Sequence, residues 1–377
     1  MSAPANRRDV VSNGLALLAL AGAPFSLSAC ISSRRDESFD AVVVRGRNDE
    51  ALARGAPAFN SVQAAIAQAP ADGIRPFRIL VTRGRWHEKL VVDKPFVHLV
   101  GEDRDGSVLT HDTAAGQRRP DGEPWGTWGC ASLIVRAPHF AARNLSIENA
   151  FDYAGHLRAP KLAAIGPNGA QAVALMLDAG SDRALVQDVS LLGHQDTLFV
   201  EAGRSLFRNC FIAGSVDFAF GAGEARFDAC ELHSRYREGK PQQGYVAAPS
   251  TLATQQFGLV FLQCRLTREA AIPAHSVALG RPWRPTKQFA DGRYGDPQVV
   301  GAAAFLRCWM DDHIAREGWD EMSYTARTGE RVAFDPLQAR LFEFENEGPG
   351  AGTHPRRRLL TREQAAPYRR TTAAASA

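Results

Sequence analysis

The sequence predicts an all-β solenoid, a parallel sheet coiled on itself, and two observations carry that reading. The first is a repeat in which an aromatic or aliphatic residue is followed by two residues and then by a small apolar one. It occurs as Val186-Gln187-Asp188-Val189, Phe207-Arg208-Asn209-Cys210, Phe227-Asp228-Ala229-Cys230, Phe261-Leu262-Gln263-Cys264 and Phe305-Leu306-Arg307-Cys308. Val189, Cys210 and Cys230 are spaced by 21 and then 20 residues. That is one coil, so each unit stacks on its neighbour and buries what it cannot bury alone. The second observation is a run of short β-rich segments separated by turns, with almost no helical periodicity, out to residue 310. This pattern suits a coiled sheet and excludes an alternating strand–helix fold.

Composition sets the outer bounds. With 377 residues, 45% of them hydrophobic, and a formal charge of +3, the chain is an ordinary globular one with no electrostatic case for nucleic acid. Arg7-Arg8 precede an apolar run from Gly14 to Ala29 that is too short and too rich in small residues to span a bilayer, so it reads as a signal peptide. Leu27-Ser28-Ala29-Cys30 resembles a bacterial lipobox, which makes Cys30 the lipidated first residue of the mature protein, and the paired arginines loosely resemble a twin-arginine export signal. Residues 1–30 are thus a signal peptide and 31–38 a tether, and 39–370 form a single domain that works outside the cytoplasm.

Within that domain, Ala41 to Arg45 reads as a strand. Asn60-Ser61 cap an amphipathic helix from Val62 to Ala69, which Pro70 stops. Phe77 to Thr82, Lys89 to Val92 and Phe96 to Gly101 are short strands, the first two split by Gly84. Departures from the period at 110–128, 150–170, 234–244 and 284–300 are rich in Gly, Pro, Asp and Arg and read as loops over one face. The tail after Gly348 reads as a loosely packed wrap.

Cys210 and Cys230 share one repeat position in consecutive coils, so their Cα atoms should lie near the rung spacing, within reach of a disulfide in an exported protein. A ladder of buried thiols is the alternative. Cys264 and Cys308 share the phase but stand 44 residues apart, and pair only if no complete coil intervenes.

The chemistry concentrates on two aspartates. Asp196 follows Val189 by seven residues and Asp217 follows Cys210 by seven, so the repeat places them one rung apart. Two carboxylates about 4.8 Å apart cannot both ionise cheaply, and one keeps its proton while the other stays charged. An Asp beside Gly or Thr is commonly a solvated turn residue, but Asp217 lies in an apolar, aromatic frame, Val216-Asp217-Phe218-Ala219-Phe220-Gly221. There is no Gly-x-Ser-x-Gly elbow, glycine-rich phosphate loop, Cys-x-x-Cys or His pair at metal-ligand spacing. His194 reads as a rung residue rather than a base.

Three blocks then resemble the signatures of the pectin methylesterase family, in order and spacing: Gly193-His194-Gln195-Asp196-Thr197-Leu198, Gly214-Ser215-Val216-Asp217-Phe218-Ala219-Phe220-Gly221, and Leu279-Gly280-Arg281-Pro282-Trp283. Gln171-Ala172-Val173-Ala174-Leu175, Ala247 to Thr251, Trp319 to Ser323 and the pair Cys210 and Cys230 extend the match over residues 39–370. The resemblance implies a right-handed parallel β-helix that hydrolyses the methyl esters of polygalacturonate as a monomer, with no cofactor and no metal. It makes Asp217 the nucleophile, Asp196 the general acid and then base, Gln195 and Gln171 the oxyanion donors, and Arg281 the residue that holds Asp217 ionised. Trp283 and Phe220 become stacking platforms for sugar rings, with Met322 in support and Phe199 beside them, although aromatic residues in strands are usually core.

Some positions depart from the family pattern. Phe199 stands where members often carry Tyr, Ala222 replaces a polar residue, and the segment from Thr127 to Leu133 is short. Three other readings compete. A non-catalytic polysaccharide-binding β-helix would not need the acid pair, and a calcium-dependent lyase would need a carboxylate cluster. An anchored esterase or thioesterase for other acyl groups would carry degraded signature blocks.

Overall fold

A computed structural model describes residues 38–46, 55–160, 162–166 and 169–370. The signal peptide, the tether up to residue 37 and Cys30 lie outside the described residues, and Phe39–Ala377 forms one compact unit. Among the described residues, three parallel sheets of eleven, eight and seven strands wind around one another as the faces of a right-handed parallel β-helix, and two antiparallel hairpins project from it. The sequence repeat is the edge where the first sheet bends into the second. Phe207–Phe227, Phe227–Phe261 and Phe261–Phe305 stack at 4.8, 4.5 and 4.3 Å between ring centroids, an internal aromatic ladder that runs along the core. The bend itself is one residue in the left-handed region: Asn144, Asp188, Asn209, Ala229, Gln263, Arg307 and Glu345 have φ between 46° and 54°.

The next rung position holds the cysteines, and here the disulfide expectation is corrected. Cys210 and Cys230 are free thiols, as are Cys264 and Cys308. Parallel in-register strands aim equivalent side chains in the same direction rather than at one another. Each thiol instead donates to a carbonyl of the preceding coil: Cys210 to Val186 at 3.4 Å, Cys230 to Phe207 at 3.5 Å, Cys264 to Phe227 at 3.4 Å and Cys308 to Phe261 at 3.5 Å. No complete coil separates Cys264 from Cys308, because Phe261 pairs directly with Phe305. The extra length of this coil, beyond strands Arg265–Arg268 and Val277–Gly280, projects as the hairpin Thr286–Phe289 with Gly292–Gly295.

Both ends of the solenoid are closed. At the first coil, helix Val62–Ile66 buries Val62, Ala65 and Ile66 over the core, stopping three residues short of the expected end. Its N-terminus is held by the Glu88 carboxylate, which accepts from Ser61 Oγ at 2.7 Å, Val62 N at 2.8 Å and Gln63 N at 3.0 Å. A strand that the sequence pattern did not reveal, Gly84–His87, precedes Glu88. At the other end the tail after Gly348 is not loosely packed. Arg357 donates to Glu343 through Nε at 2.9 Å and Nη2 at 2.6 Å, and the two side chains are 1% and 2% exposed. A guanidinium so buried is tolerable only because a carboxylate and the Gly350 carbonyl, 3.0 Å from Nη1, satisfy it.

Candidate active site

The two aspartates stand in register. Gln195 bridges Val216, Asp196 N donates to the Val216 carbonyl at 2.9 Å, and Leu198 pairs with Ala219. Asp196 and Asp217 therefore occupy equivalent positions one coil apart, where the second sheet turns into the third. Each turn is forced by a glycine three residues earlier. A Cβ on Gly193 would meet Thr197 Oγ1 at 2.6 Å, and one on Gly214 would meet Phe218 Cβ at 2.2 Å, so the residue after each aspartate folds back over a position that only glycine can fill. The aspartates pay in backbone conformation, with φ of 65° and 50°, a region that costs about 1 kcal/mol or more for a side chain that does not use it.

Their surroundings separate the pair chemically. Both are 8% exposed. Asp217 accepts two parallel hydrogen bonds from Arg281, Nε to Oδ1 at 2.9 Å and Nη2 to Oδ2 at 2.7 Å. Arg281 leaves the end of strand Val277–Gly280, and its guanidinium lies 3.8 Å from the centroid of the Tyr245 ring. Burial alone would weaken the cation, but the Asp217 charge and hydrogen bonds outweigh it and raise the Arg281 pKa. Asp196 has no such partner: burial first, and then the Asp217 carboxylate, hold it well above the usual carboxylate range against the pull of Arg281. One carboxylate is gripped on both oxygens by a guanidinium, and its neighbour is set to keep a proton.

Gln171 lies at the same edge one coil earlier, where Ala172 N donates to the Gln195 carbonyl at 3.0 Å. Its side-chain oxygen is buried with no hydrogen-bond partner, an acceptor left open at this edge. His194 stacks on Tyr153 at 5.0 Å. Burial and then Arg235 push its pKa down to about 3, which keeps it neutral.

The aromatic positions sort differently from expectation. Ile134, Met176, Phe199, Phe220 and Ala248 form a second apolar cluster, against which Trp283, Trp125 and Met322 are half-buried. Phe199 is fully buried and Phe220 is 2% exposed, stacked on each other at 4.2 Å. Phe220, expected as a stacking platform, and Phe199, expected beside it, are thus both packed into this cluster. With no hydroxyl to satisfy, Phe199 is buried without a polar partner. Above them stand Trp283, 5.8 Å from Phe220, and Trp128, 5.2 Å from Phe199 and 6.1 Å from Trp283.

Sequence reasoning missed Trp128, which is 45% exposed, because its segment was judged by its length and not by its tryptophan. Tyr245 was missed because its stacking on Arg281 depends on how the 234–244 loop closes. Glu201 was missed too. It follows strand Leu198–Val200, and burial, then Asp178, push its pKa up to about 7 against Lys287 and the Trp128 indole. No pattern in the sequence marks it. Among the described residues, the groups that could hold a metal ion are His87, His111 and Asp112, brought together from two coils and not from the aspartate pair.

Comparison with known proteins agrees with this architecture. The family profile described as Pectinesterase matches residues 51–370. Pectinesterase A of Dickeya dadantii (strain 3937) is 42% identical over 335 residues, 88% of this chain and 89% of the relative. Among solved structures, a pectin methylesterase in complex with a hexasaccharide superimposes with a TM-score of 0.84 at 41% identity, covering 90% of this chain and 98% of that one. The pectin methylesterase from Yersinia enterocolitica does so with a TM-score of 0.78 at 44% identity, over 82% and 96% of the two chains. With a profile spanning most of the solenoid and a relative this similar along nearly its whole length, the chain belongs to the pectinesterase family, the carboxylic ester hydrolases of pectin.

Proposed function

We propose that the chain hydrolyses the methyl esters of polygalacturonate through an acyl-enzyme on Asp217, and the observation that carries this is the two-pronged Arg281–Asp217 contact beside an Asp196 that keeps its proton. One Asp217 oxygen attacks the ester carbonyl carbon. The carbonyl electron pair moves onto oxygen, where the amides of Gln171 and Gln195 stabilise the developing charge. The tetrahedral intermediate collapses with cleavage of the C–OCH3 bond, and Asp196 gives its proton to the departing methoxide, releasing methanol. The Asp196 carboxylate then takes a proton from water. The resulting hydroxide adds to the galacturonyl carbonyl carbon of the anhydride, the bond from that carbon to the Asp217 oxygen breaks, and galacturonic acid leaves, giving its proton to solvent, while Asp217 regains its carboxylate.

The same reading makes Trp283 and Trp128 the walls on which sugar rings stack, with Met322 at the rim and Phe220 and Phe199 as their support. The chain acts as a monomer on the homogalacturonan polymer. It is exported, either anchored to the outer membrane through a lipid on Cys30 or released to the periplasm or the medium. Retention of Asp196, Asp217 and Arg281 favours this over a non-catalytic binding module. The deciding assay compares methanol release from methylated pectin with acid release from a generic acetyl ester. Turnover of the acetyl ester but not of pectin would overturn the substrate reading and leave an esterase for other acyl groups.

A further inference from the structure

We propose that His87, His111 and Asp112 form a binding site for one divalent transition ion of the zinc class, which clips the edge strand of the second sheet to the coil behind it. Strand Gly84–His87 is the terminal strand of its eight-stranded sheet, hydrogen-bonded on one side only, to Ser107–His111. His87 ends the first strand, where it pairs with Thr110, and His111 ends the second, one residue beyond that pairing, with the two rings stacked at 4.8 Å between centroids. Asp112 follows directly. Its Oδ1 lies 3.5 Å from His87 Nε2 and 3.6 Å from His111 Nδ1, and one ligand atom from each of the three residues falls within 4.8 Å of the others.

Those separations suit a shared ion. At metal–nitrogen and metal–oxygen distances of about 2.0–2.2 Å, ligand atoms around a tetrahedral zinc stand roughly 3.3–3.5 Å apart. The carboxylate oxygen already sits near that distance from both imidazoles, and the His87 ring is exposed at the sheet edge. Two imidazoles and one carboxylate form a donor set for zinc, nickel or copper rather than for calcium or magnesium, and the remaining positions would hold water.

The nearby cations are engaged elsewhere. Lys89 points its ammonium to the Ala131 carbonyl at 2.8 Å and over the Trp125 ring at 4.6 Å, and Arg85 is paired with Glu148. The Thr113 hydroxyl, 2.7 Å from His111 Nδ1, holds that ring in place. An entering ion displaces this one hydrogen bond, which weakens its binding. The ion adds a tie across a strand edge that otherwise has a single pairing partner.

The test uses untagged full-length protein stripped of metal and titrated with zinc ion near neutral pH by calorimetry and thermal melting. One ion per chain is expected, with a melting temperature that rises with ion concentration. His87→Ala and His111→Ala should each weaken binding by about tenfold or more while methanol release from pectin stays at the wild-type level, which also reports that each variant is folded. Absence of saturable zinc binding in the wild type, or binding of equal strength in either variant, would overturn the proposal.

Discussion

Arg281 grips both oxygens of Asp217, at 2.9 and 2.7 Å, while Asp196, one coil earlier, has no cation of its own. Asp217→Asn preserves shape but removes the nucleophilic charge, and methanol release should fall by about 10³-fold or more. Arg281→Lys keeps a positive charge and loses the planar fork, so kcat should drop while KM changes little. Near wild-type kcat in Asp217→Asn, with unchanged circular dichroism, would place the nucleophile elsewhere.

Asp196→Asn should act on activity and stability in opposite directions. Proton transfer is worth about 10²–10⁴-fold in rate, so turnover falls by that order. The folded-state pKa of Asp196 is raised, first by burial and then by Asp217. Its contribution to stability is therefore fully present below about pH 3.9 and is lost as pH rises through the folded value. The variant should melt above the wild type at pH 7 and alongside it near pH 3.9. An equal melting temperature at both values would refute the buried-proton reading.

Glu201 carries a separate signature. With its pKa pushed up to about 7 by burial, then Asp178, the wild type should lose stability relative to Glu201→Gln as pH rises from about 4.3 through 7. Because the carboxylate lies beside Trp128, tryptophan fluorescence should titrate near pH 7 in the wild type and not in the variant. A flat wild-type fluorescence profile across that range would count against the contact.

Arg357→Ala strands Glu343 without its partner in a buried site, and should cost about 3–5 kcal/mol. Chemical denaturation would measure this. Replacing both with apolar residues, Arg357→Met with Glu343→Leu, should recover most of the loss. If the double variant is as unstable as the single one, the pair is not what holds the tail to the last coils.

The cysteine ladder predicts thiol counts. Among the described residues all five cysteines are free and buried, so the native protein should react little with a thiol reagent. The denatured, unreduced mature chain should expose all five, and a sixth should appear only in material whose Cys30 carries no lipid. Recovering three thiols from denatured, unreduced lipidated protein, or four from unlipidated protein, would restore the disulfide.

The solenoid and the aspartate pair were legible in the sequence because both depend on one local quantity, the number of residues per coil. The stacked phenylalanines and the Gln195–Val216 bridge follow from that spacing alone. Burial along the outer face of the third sheet was not legible. Phe199 and Phe220 look like cleft residues until loops from other coils are seen to cover them, and Trp128 looks like loop filler until it lands beside Trp283. The cysteine pairing failed for a related reason, since shared phase gives proximity but says nothing of where the side chains aim. Arg357 needed the whole chain, because its partner is buried only after the last coils have formed.

That Asp196 and Asp217 descend from the same slot of consecutive coils means the distance between them is stored as a count of residues along the chain. A single insertion between them would shift one carboxylate by about 3.3 Å and turn it to the opposite face of its strand. An insertion inside a projecting hairpin such as Thr286–Gly295 would leave the spacing intact. Variation in this lineage should therefore be sharply partitioned: length change accumulates in the projecting excursions, while the 21-residue interval from Asp196 to Asp217 tolerates substitution but not indels.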